Sequence, residues 1–179
     1  MKKILFFIYF ATMLVAAKAQ FSSASLVAGG LTCSMCSKAV YKALIGVSSI
    51  ESVKPDISAS SYEIIFKKDA AIDLDAIKNS VEAAGFSVAK LRVTAFVNNL
   101  SVSNDAHLVL GGNNYHFLNV PKETLNGNIT FTLVDKKFTS EKEYKKFARY
   151  TNMKCYATGT MENCCKNGAA GKRVYHVTI

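Results

Sequence analysis

Residues 30–36 read Gly-Leu-Thr-Cys-Ser-Met-Cys, so two residues separate the cysteines Cys33 and Cys36. The stretch follows a short apolar segment typical of a strand and precedes apolar residues at helical spacing. This pattern predicts a loop that carries Cys33 and a helix whose first turn carries Cys36. Both sulfurs should then converge above the helix start, where unpaired N–H groups and the helix dipole favour thiolates.

The segments on either side of the cysteine loop predict four strands and two helices. The strands are expected at residues 25–30, 47–53, 62–67 and 86–93, and the helices at residues 36–46 and from Asp73 or Asp75 to the cap residue Gly85. This βαββαβ order is that of a ferredoxin-like α+β domain, in which two helices cover one face of an antiparallel sheet.

The cysteine loop resembles the GMTCxxC signature of heavy-metal-associated domains. That family includes copper chaperones, the metal-binding modules of P-type ATPases and the periplasmic mercury-binding protein. Residues 82–86, Glu-Ala-Ala-Gly-Phe, resemble the ending of the family's second helix. The resemblance covers residues 25–93 and implies that Cys33 and Cys36 are metal ligands.

Three neighbouring residues bear on which metal is bound. Leu31 replaces the family's Met and should preserve its apolar contact beneath the loop. Phe86 stands where bacterial copper chaperones often carry Tyr near the metal, which leaves the metal preference open. Met35 is interpreted as a solvent-facing residue, with a third soft ligand as the alternative.

A pair of thiolates without a nearby His or carboxylate suits a soft, low-coordinate ion, and Cu(I) is the first expectation. Zn(II) or another thiophilic ion fits if a second molecule or a partner supplies further ligands. The leading hypothesis is therefore an exported protein that carries, buffers or presents the ion. Its expected partners are the ion and a protein that donates or accepts it.

Two other functions compete with metal carriage. An oxidised, structural Cys33–Cys36 pair would make the chain a cell-envelope adaptor, and a reactive pair would make it a thiol–disulfide exchange protein. The thioredoxin-type context of a redox CxxC is missing, however. The sequence also shows no Ser-His-Asp arrangement, paired-carboxylate site or phosphate-binding Gly loop, so we expect no enzymatic activity.

Residues 1–19 are typical of a secretory signal peptide. Lys2 and Lys3 precede an apolar run, and Ala17-Lys18-Ala19 offers small residues for cleavage after Ala19. The run is shorter than the roughly 20 residues that span a bilayer. We therefore expect export to the periplasm or another extracytoplasmic compartment, with no membrane span after cleavage.

Cleavage would remove Lys2, Lys3 and Lys18 and no acidic residue, which lowers the formal net charge from +9 to +6. The remaining basic residues are spread out, apart from those at residues 142–149. Such a modest charge mainly affects solubility and non-specific attraction to polyanions. Because no nucleic-acid-binding motif is present, we expect no nucleic-acid partner.

The pattern changes after Val93, where the family resemblance ends. Strands are expected at residues 92–97, 101–102, 107–110, 115–120, 129–133, 155–160 and 173–179, with a turn at residues 111–114 and a helix capped by Ser140. This order predicts a separate mainly-β domain at residues 94–179, after a heavy-metal-associated domain at residues 20–93. An OB-type barrel with one helix is its expected fold.

The C-terminal unit contains three further cysteines, Cys155, Cys164 and Cys165. In an exported chain, a disulfide from Cys155 to Cys164 or Cys165 is the preferred interpretation, because it would fasten a Gly- and Asn-rich loop. The total of five cysteines means that not all of them can pair within one monomer.

A second thiolate site is the alternative role for these cysteines. Met153, Met161 or His176 would assist it, although the ligand spacing matches no standard zinc pattern. The remaining two histidines, His107 and His116, are interpreted as ordinary strand residues.

Overall fold

The structure is a computed structural model that describes residues 20–163, 165 and 170–179. The predicted signal peptide at residues 1–19 and the cysteine Cys164 therefore lie outside the described residues. In the part that is described, no helix has the length and apolar character needed to cross a membrane.

The elements follow one another as eight strands and four helices in the described part. They are β1 (Gln20–Gly29), α1 (Ser34–Ile45), β2 (Ile50–Asp56), β3 (Ser61–Phe66), α2 (Leu74–Ala83), β4 (Ser87–Val102), β5 (His107–Leu110), β6 (Asn113–Phe117), β7 (Glu123–Leu133), α3 (Glu141–Phe147), α4 (Cys155–Thr158) and β8 (Val174–Thr178), with a 3-10 turn at Ala148–Tyr150. All eight strands join one sheet in the order β2-β3-β1-β4-β7-β8-β6-β5.

The first six elements have the predicted βαββαβ order, and the ferredoxin-like fold of this part is confirmed. The ends of α2 show why the sequence specified it. The side chain of Asp73 accepts a hydrogen bond from the N–H of Ala76 and so caps the first turn. At the other end Gly85 has a φ of +87°, the left-handed conformation that ends a helix at little cost when the residue is glycine.

Strand β4 connects the two parts of the chain. Its first part pairs with β1 as far as Phe96, and the segment from Arg92 to Val102 pairs with β7 on the other side. The predicted domain boundary between residues 93 and 94 thus lies inside one strand, and the sheet runs through it without interruption.

The predicted OB-type barrel is wrong, because the sheet is open. A barrel needs the outer strands to pair with each other, but β2 and β5 lie at opposite ends of the sheet order. To close a barrel from the C-terminal strands alone, the free edge of β4 would have to pair with another C-terminal strand, but that edge pairs with β1 instead. The strand expected at residues 155–160 is instead the short helix α4, followed by an isolated bridge between Thr160 and Arg173.

The hairpin between β5 and β6 is tighter than the sequence pattern predicted. Its loop contains only Gly111 and Gly112, whose φ values are +53° and +85°. Two consecutive positive φ angles define a turn that matches strand twist, and glycine adopts them without strain. The register that results places His107 opposite His116.

Different helices pack on different parts of the sheet. Helices α1 and α2 cover one face over a continuous apolar core whose members include Leu44, Ile77, Phe131 and Tyr175. On the C-terminal strands, smaller buried clusters form around α3 and α4. Arg173, just before β8, reaches Asp75 of α2 with an Nε–Oδ2 distance of 2.7 Å and so connects the two units.

Candidate metal centre

The loop before α1 places the two N-terminal cysteines at the start of the helix. Cys33 is the N-cap residue, and Cys36 lies in the first turn, as predicted. Gly30 opens the loop with a φ of +87°, a conformation that residues with a Cβ rarely adopt. Leu31 packs against the main core, which anchors the loop from below.

Polar contacts hold both sulfurs at this turn. The backbone N–H of Cys36 donates to Sγ of Cys33 at 3.3 Å, and Oγ1 of Thr32 lies 3.9 Å from Sγ of Cys36. Cys33 is exposed and Cys36 is partly exposed, and no disulfide joins them. Both sulfurs are therefore accessible to an ion or to a partner's thiol.

Hydrogen bonds favour the thiolate at Cys36. The Cys33 side chain, followed by the backbone of Thr32, lowers the pKa of Cys36 below the usual value for a thiol, against a smaller opposing effect of burial. A lowered pKa increases the fraction of thiolate at neutral pH, and the thiolate is the form that binds metal.

A buried tyrosine fixes the first turn of α1 from the sheet. The hydroxyl of Tyr62 in β3 donates to the carbonyl of Ser37 at 3.2 Å and lies 2.9 Å from its Oγ. Both side chains are buried. The sequence pattern missed this support, although Ser37 shares the inner helix face with Val40 and Leu44, where a polar residue signals a buried partner.

Phe86 and Met35 flank the cysteine pair in different ways. A Cβ added to Gly30 would lie 3.9 Å from Cδ1 of Phe86, so the ring stands next to the loop without offering a hydroxyl. Met35 is 79% exposed, which confirms the interpretation of a solvent-facing side chain.

The donor atoms at this loop suit a soft ion of low coordination number. Within residues 20–163, 165 and 170–179, no third ligand atom from a His, Asp, Glu or Cys side chain converges with the sulfurs of Cys33 and Cys36. The one group of three such atoms found in these residues lies in the C-terminal unit. Two thiolates alone are fewer ligands than the four that a structural zinc site normally has.

The group that converges elsewhere consists of His107, His116 and Cys155. Sγ of Cys155 lies 3.6 Å from Nε2 of His107 and 3.6 Å from Nδ1 of His116. The sequence pattern assigned the two histidines no role beyond their strands. The signal that could have found them is the Gly111-Gly112 pair, because a two-residue loop puts His107 opposite His116.

Cys165, a second C-terminal cysteine, lies close to this group. Cys165 is buried in the same cluster as Cys155 and Met161, with Met153 packed against it. Because Cys164 lies outside the described residues, the predicted bridge to Cys164 or Cys165 stays a prediction.

Comparison with known proteins identifies the N-terminal part. Residues 26–87 match the family model named Heavy-metal-associated domain. Similar solved structures include the CopZ metallochaperone (22% identity over 38% of this chain and 100% of that chain, TM-score 0.35). Another is the yeast copper transporter domain Ccc2a, with 20% identity over 36% of this chain and 88% of that chain and a TM-score of 0.33. A third is oxidized MerP from Ralstonia metallidurans CH34, with 26% identity over 38% of this chain and 96% of that chain and a TM-score of 0.35. No curated protein matches the chain.

Proposed function

Residues 26–87 are a heavy-metal-associated domain, and on this basis we propose that the chain carries a soft metal ion through the thiolates of Cys33 and Cys36. Cu(I) is the ion that the donor set favours. The observation that supports this most is the pair of accessible, unbridged sulfurs at the start of α1, beside a hydrogen-bond network that lowers the pKa of Cys36.

The exposure of the site suits transfer by ligand exchange. When the ion binds, each thiol loses its proton to solvent and forms a metal–sulfur bond. A partner's thiolate then adds to the ion, the bond to Cys36 or Cys33 breaks, and the released thiolate takes up a proton. Because neither sulfur is enclosed, the partner can approach without unfolding the loop.

The proposed place of action is outside the cytoplasm, in the periplasm or an equivalent compartment, and it rests on the signal-peptide pattern of residues 1–19. In that setting the ion also protects the two thiols from oxidation. The chain thus delivers or buffers an ion and does not convert a substrate.

An anaerobic Cu(I) titration against a competing chelator tests this function. Residues 20–179 should lose one tightly bound equivalent in the double variant Cys33→Ser/Cys36→Ser, whereas Met35→Leu, between the two cysteines, should bind as the unchanged chain does. Equal binding by the double variant and the unchanged chain would refute metal carriage by this pair. A thiol count on freshly isolated protein that shows Cys33 and Cys36 fully bridged would favour the adaptor function instead.

A further inference from the structure

All three histidines of the chain lie side by side on three neighbouring strands. His107 of β5 pairs in register with His116 of β6, and His116 pairs in register with His176 of β8. Tyr115, Phe117 and other residues that alternate with them along the strands point into the main core. The histidines therefore share the opposite face of the sheet, since side chains alternate between faces.

Helix α4 places a thiol on this row of histidines. Sγ of Cys155 contacts Nε2 of His107 and Nδ1 of His116, both at 3.6 Å. The three atoms all lie within 4.8 Å of one another. The rings of His107 and His116 stack with their centroids 4.1 Å apart, which holds both in place.

We propose that His107, His116 and Cys155 form a second metal site, which binds a thiophilic d¹⁰ ion, Zn²⁺ or Cu(I). Zinc–ligand bonds of about 2.3 Å to sulfur and 2.0–2.1 Å to nitrogen, at a tetrahedral angle, separate the two ligand atoms by about 3.5 to 3.6 Å. Both sulfur–nitrogen distances have this value before any ion is present. Zinc and copper both accept imidazole and thiolate ligands.

A carboxylate orients one of the imidazoles toward the sulfur. Nε2 of His116 lies 3.0 Å from Oδ1 of Asp105, so the ring donates its proton there and directs the lone pair of Nδ1 at Cys155. A carboxylate behind a ligating histidine is the usual second partner at metal sites, where it fixes the tautomer and the ring orientation.

Further sulfur-containing side chains pack in the same buried cluster as Cys155. Cys165 and Met161 are buried in one cluster with Cys155, and Met153 packs against it. The Nε2 atom of His176 is buried and finds no hydrogen-bond partner among the described residues, although its ring contacts His116 at 5.1 Å between centroids. Among the described residues, the ligand atoms that lie within 4.8 Å of one another are those of His107, His116 and Cys155, so the proposed site is a three-ligand site.

A nucleophilic cysteine activated by His116 and Asp105 is the competing interpretation of these contacts. Two observations favour the ion. Cys155 and His116 are both fully buried, which keeps a substrate away from the sulfur, whereas a single ion can enter past the half-buried His107. In addition, Nε2 of His107 lies 3.6 Å from the same sulfur, and a nucleophilic cysteine needs only one imidazole as its base.

The site can be tested without interference from the N-terminal cysteines. The Cys33→Ser/Cys36→Ser double variant of residues 20–179, reduced and freed of metal under anaerobic conditions, would be titrated with Zn²⁺, with Cu(I) and with Co²⁺ as a coloured substitute for Zn²⁺. We expect one equivalent of Zn²⁺ or Cu(I) to bind, and Co²⁺ to give a sulfur-to-metal charge-transfer band. Because the first site is absent, the result stands apart from the proposed function.

Four further substitutions in the same background identify the ligands. Cys155→Ser should remove the charge-transfer band, and His107→Gln should weaken binding by more than about a hundredfold. Asp105→Asn should weaken it by about ten- to a hundredfold, as expected for a group that only positions a ligand. The matched control Val109→Gln changes an exposed residue of β5 and should have no effect.

Circular dichroism would show whether each variant remains folded, and His107→Gln, at a half-buried position, keeps the test decisive if Cys155→Ser unfolds. The proposal is overturned if the double variant binds none of the three ions at micromolar concentration. It is equally overturned if binding survives both Cys155→Ser and His107→Gln, or if Cys155 remains in a disulfide after reduction.

Discussion

The chain presents cysteines in two opposite settings. Cys33 and Cys36 lie in an exposed loop at the start of α1, where a backbone N–H donates to Sγ of Cys33 and the hydroxyl of Thr32 lies near Sγ of Cys36. Cys155 is fully buried beneath two imidazoles, one of them oriented by a carboxylate. An exposed pair can exchange its ion with a partner, whereas an enclosed site retains its ion, so the two settings suit transfer and retention respectively.

The largest expected effect concerns the reactivity of the two sets of thiols. In the reduced, metal-free protein, iodoacetamide should modify Cys33 and Cys36 rapidly and Cys155 about a thousandfold more slowly. The reason is that Cys155 reacts only after an opening that costs on the order of 4 kcal/mol. Mass spectrometry of timed samples measures both rates. As a control, all three thiols should react equally fast in guanidinium, where the protein is unfolded. Equal rates in the native protein would contradict the prediction that Cys155 is protected and the Cys33–Cys36 pair is not.

The second prediction asks whether the two units fold independently. Phe131 of β7 is fully buried and packs edge-on against Phe117, so Phe131→Ala should lower the free energy of unfolding by about 3–5 kcal/mol. Because β4 belongs to both units, hydrogen exchange should accelerate in β3 as well as in β8. Exchange that accelerates in β8 alone would show that the units unfold separately.

A matched control for this substitution is Phe96→Ala, on the neighbouring strand β4. Its ring is 53% exposed. The change should therefore alter the free energy of unfolding by no more than about 0.5 kcal/mol.

The third prediction concerns the ion pairs between the units. Arg173 contacts Asp75 of α2 at 2.7 Å and Asp135, which is nearly buried, at 3.2 Å. Arg173→Met should cost about 2 kcal/mol at pH 7, because it leaves a buried carboxylate with fewer partners. Urea titration of each variant measures the change in the free energy of unfolding. Lys137→Met breaks an exposed ion pair with Glu82 and should change this free energy very little.

The cost of Arg173→Met should depend on pH. Burial alone would raise the pKa of Asp75, but hydrogen bonds from Arg173 and Lys78 outweigh it and hold the pKa below its usual value. The stabilisation is therefore complete above the unfolded-state pKa of about 3.9 and is lost as the pH falls through the lower folded-state pKa. A cost that stays constant down to pH 2 would contradict this account.

The smallest expected effect is at the exposed pair. Cys33→Ala removes the strongest contact that stabilises the Cys36 thiolate, so the pKa of Cys36 should rise toward that of an ordinary thiol. The pH at which alkylation of Cys36 is half-maximal measures this shift. Thr32→Val should move it in the same direction by less, and an unchanged midpoint in Cys33→Ala would exclude the proposed contact.

The N-terminal unit was predictable because its signals are local. The spacing of Cys33 and Cys36, the cap at Asp73 and the glycine at position 85 each specify a short piece of backbone. The family resemblance then fixes the topology, and residues 26–87 match that family. The contact of Tyr62 with Ser37 escaped prediction because it joins elements 25 residues apart.

The C-terminal unit was harder to predict because long-range pairings determine its structure. Strand β6 pairs in parallel with β8 at the far end of the chain, and local periodicity cannot reveal such a neighbour. The cluster at His107 depended on one detail, whether the hairpin loop begins with Gly111 and ends at Gly112 or continues to Asn114. Two residues of difference in that loop decide whether the histidines meet.

Strand β4 also has a consequence for any shortened version of the protein. A fragment that ends at Val102 would lose β7 and expose the backbone N–H and C=O groups from Arg92 onward, beside the alternating apolar side chains of Val93, Ala95 and Val97. A long, unpaired apolar edge of this kind recruits strands from other molecules and leads to aggregation. The pairing of β7 with β4 therefore covers this edge of the N-terminal unit and should keep it from recruiting other strands.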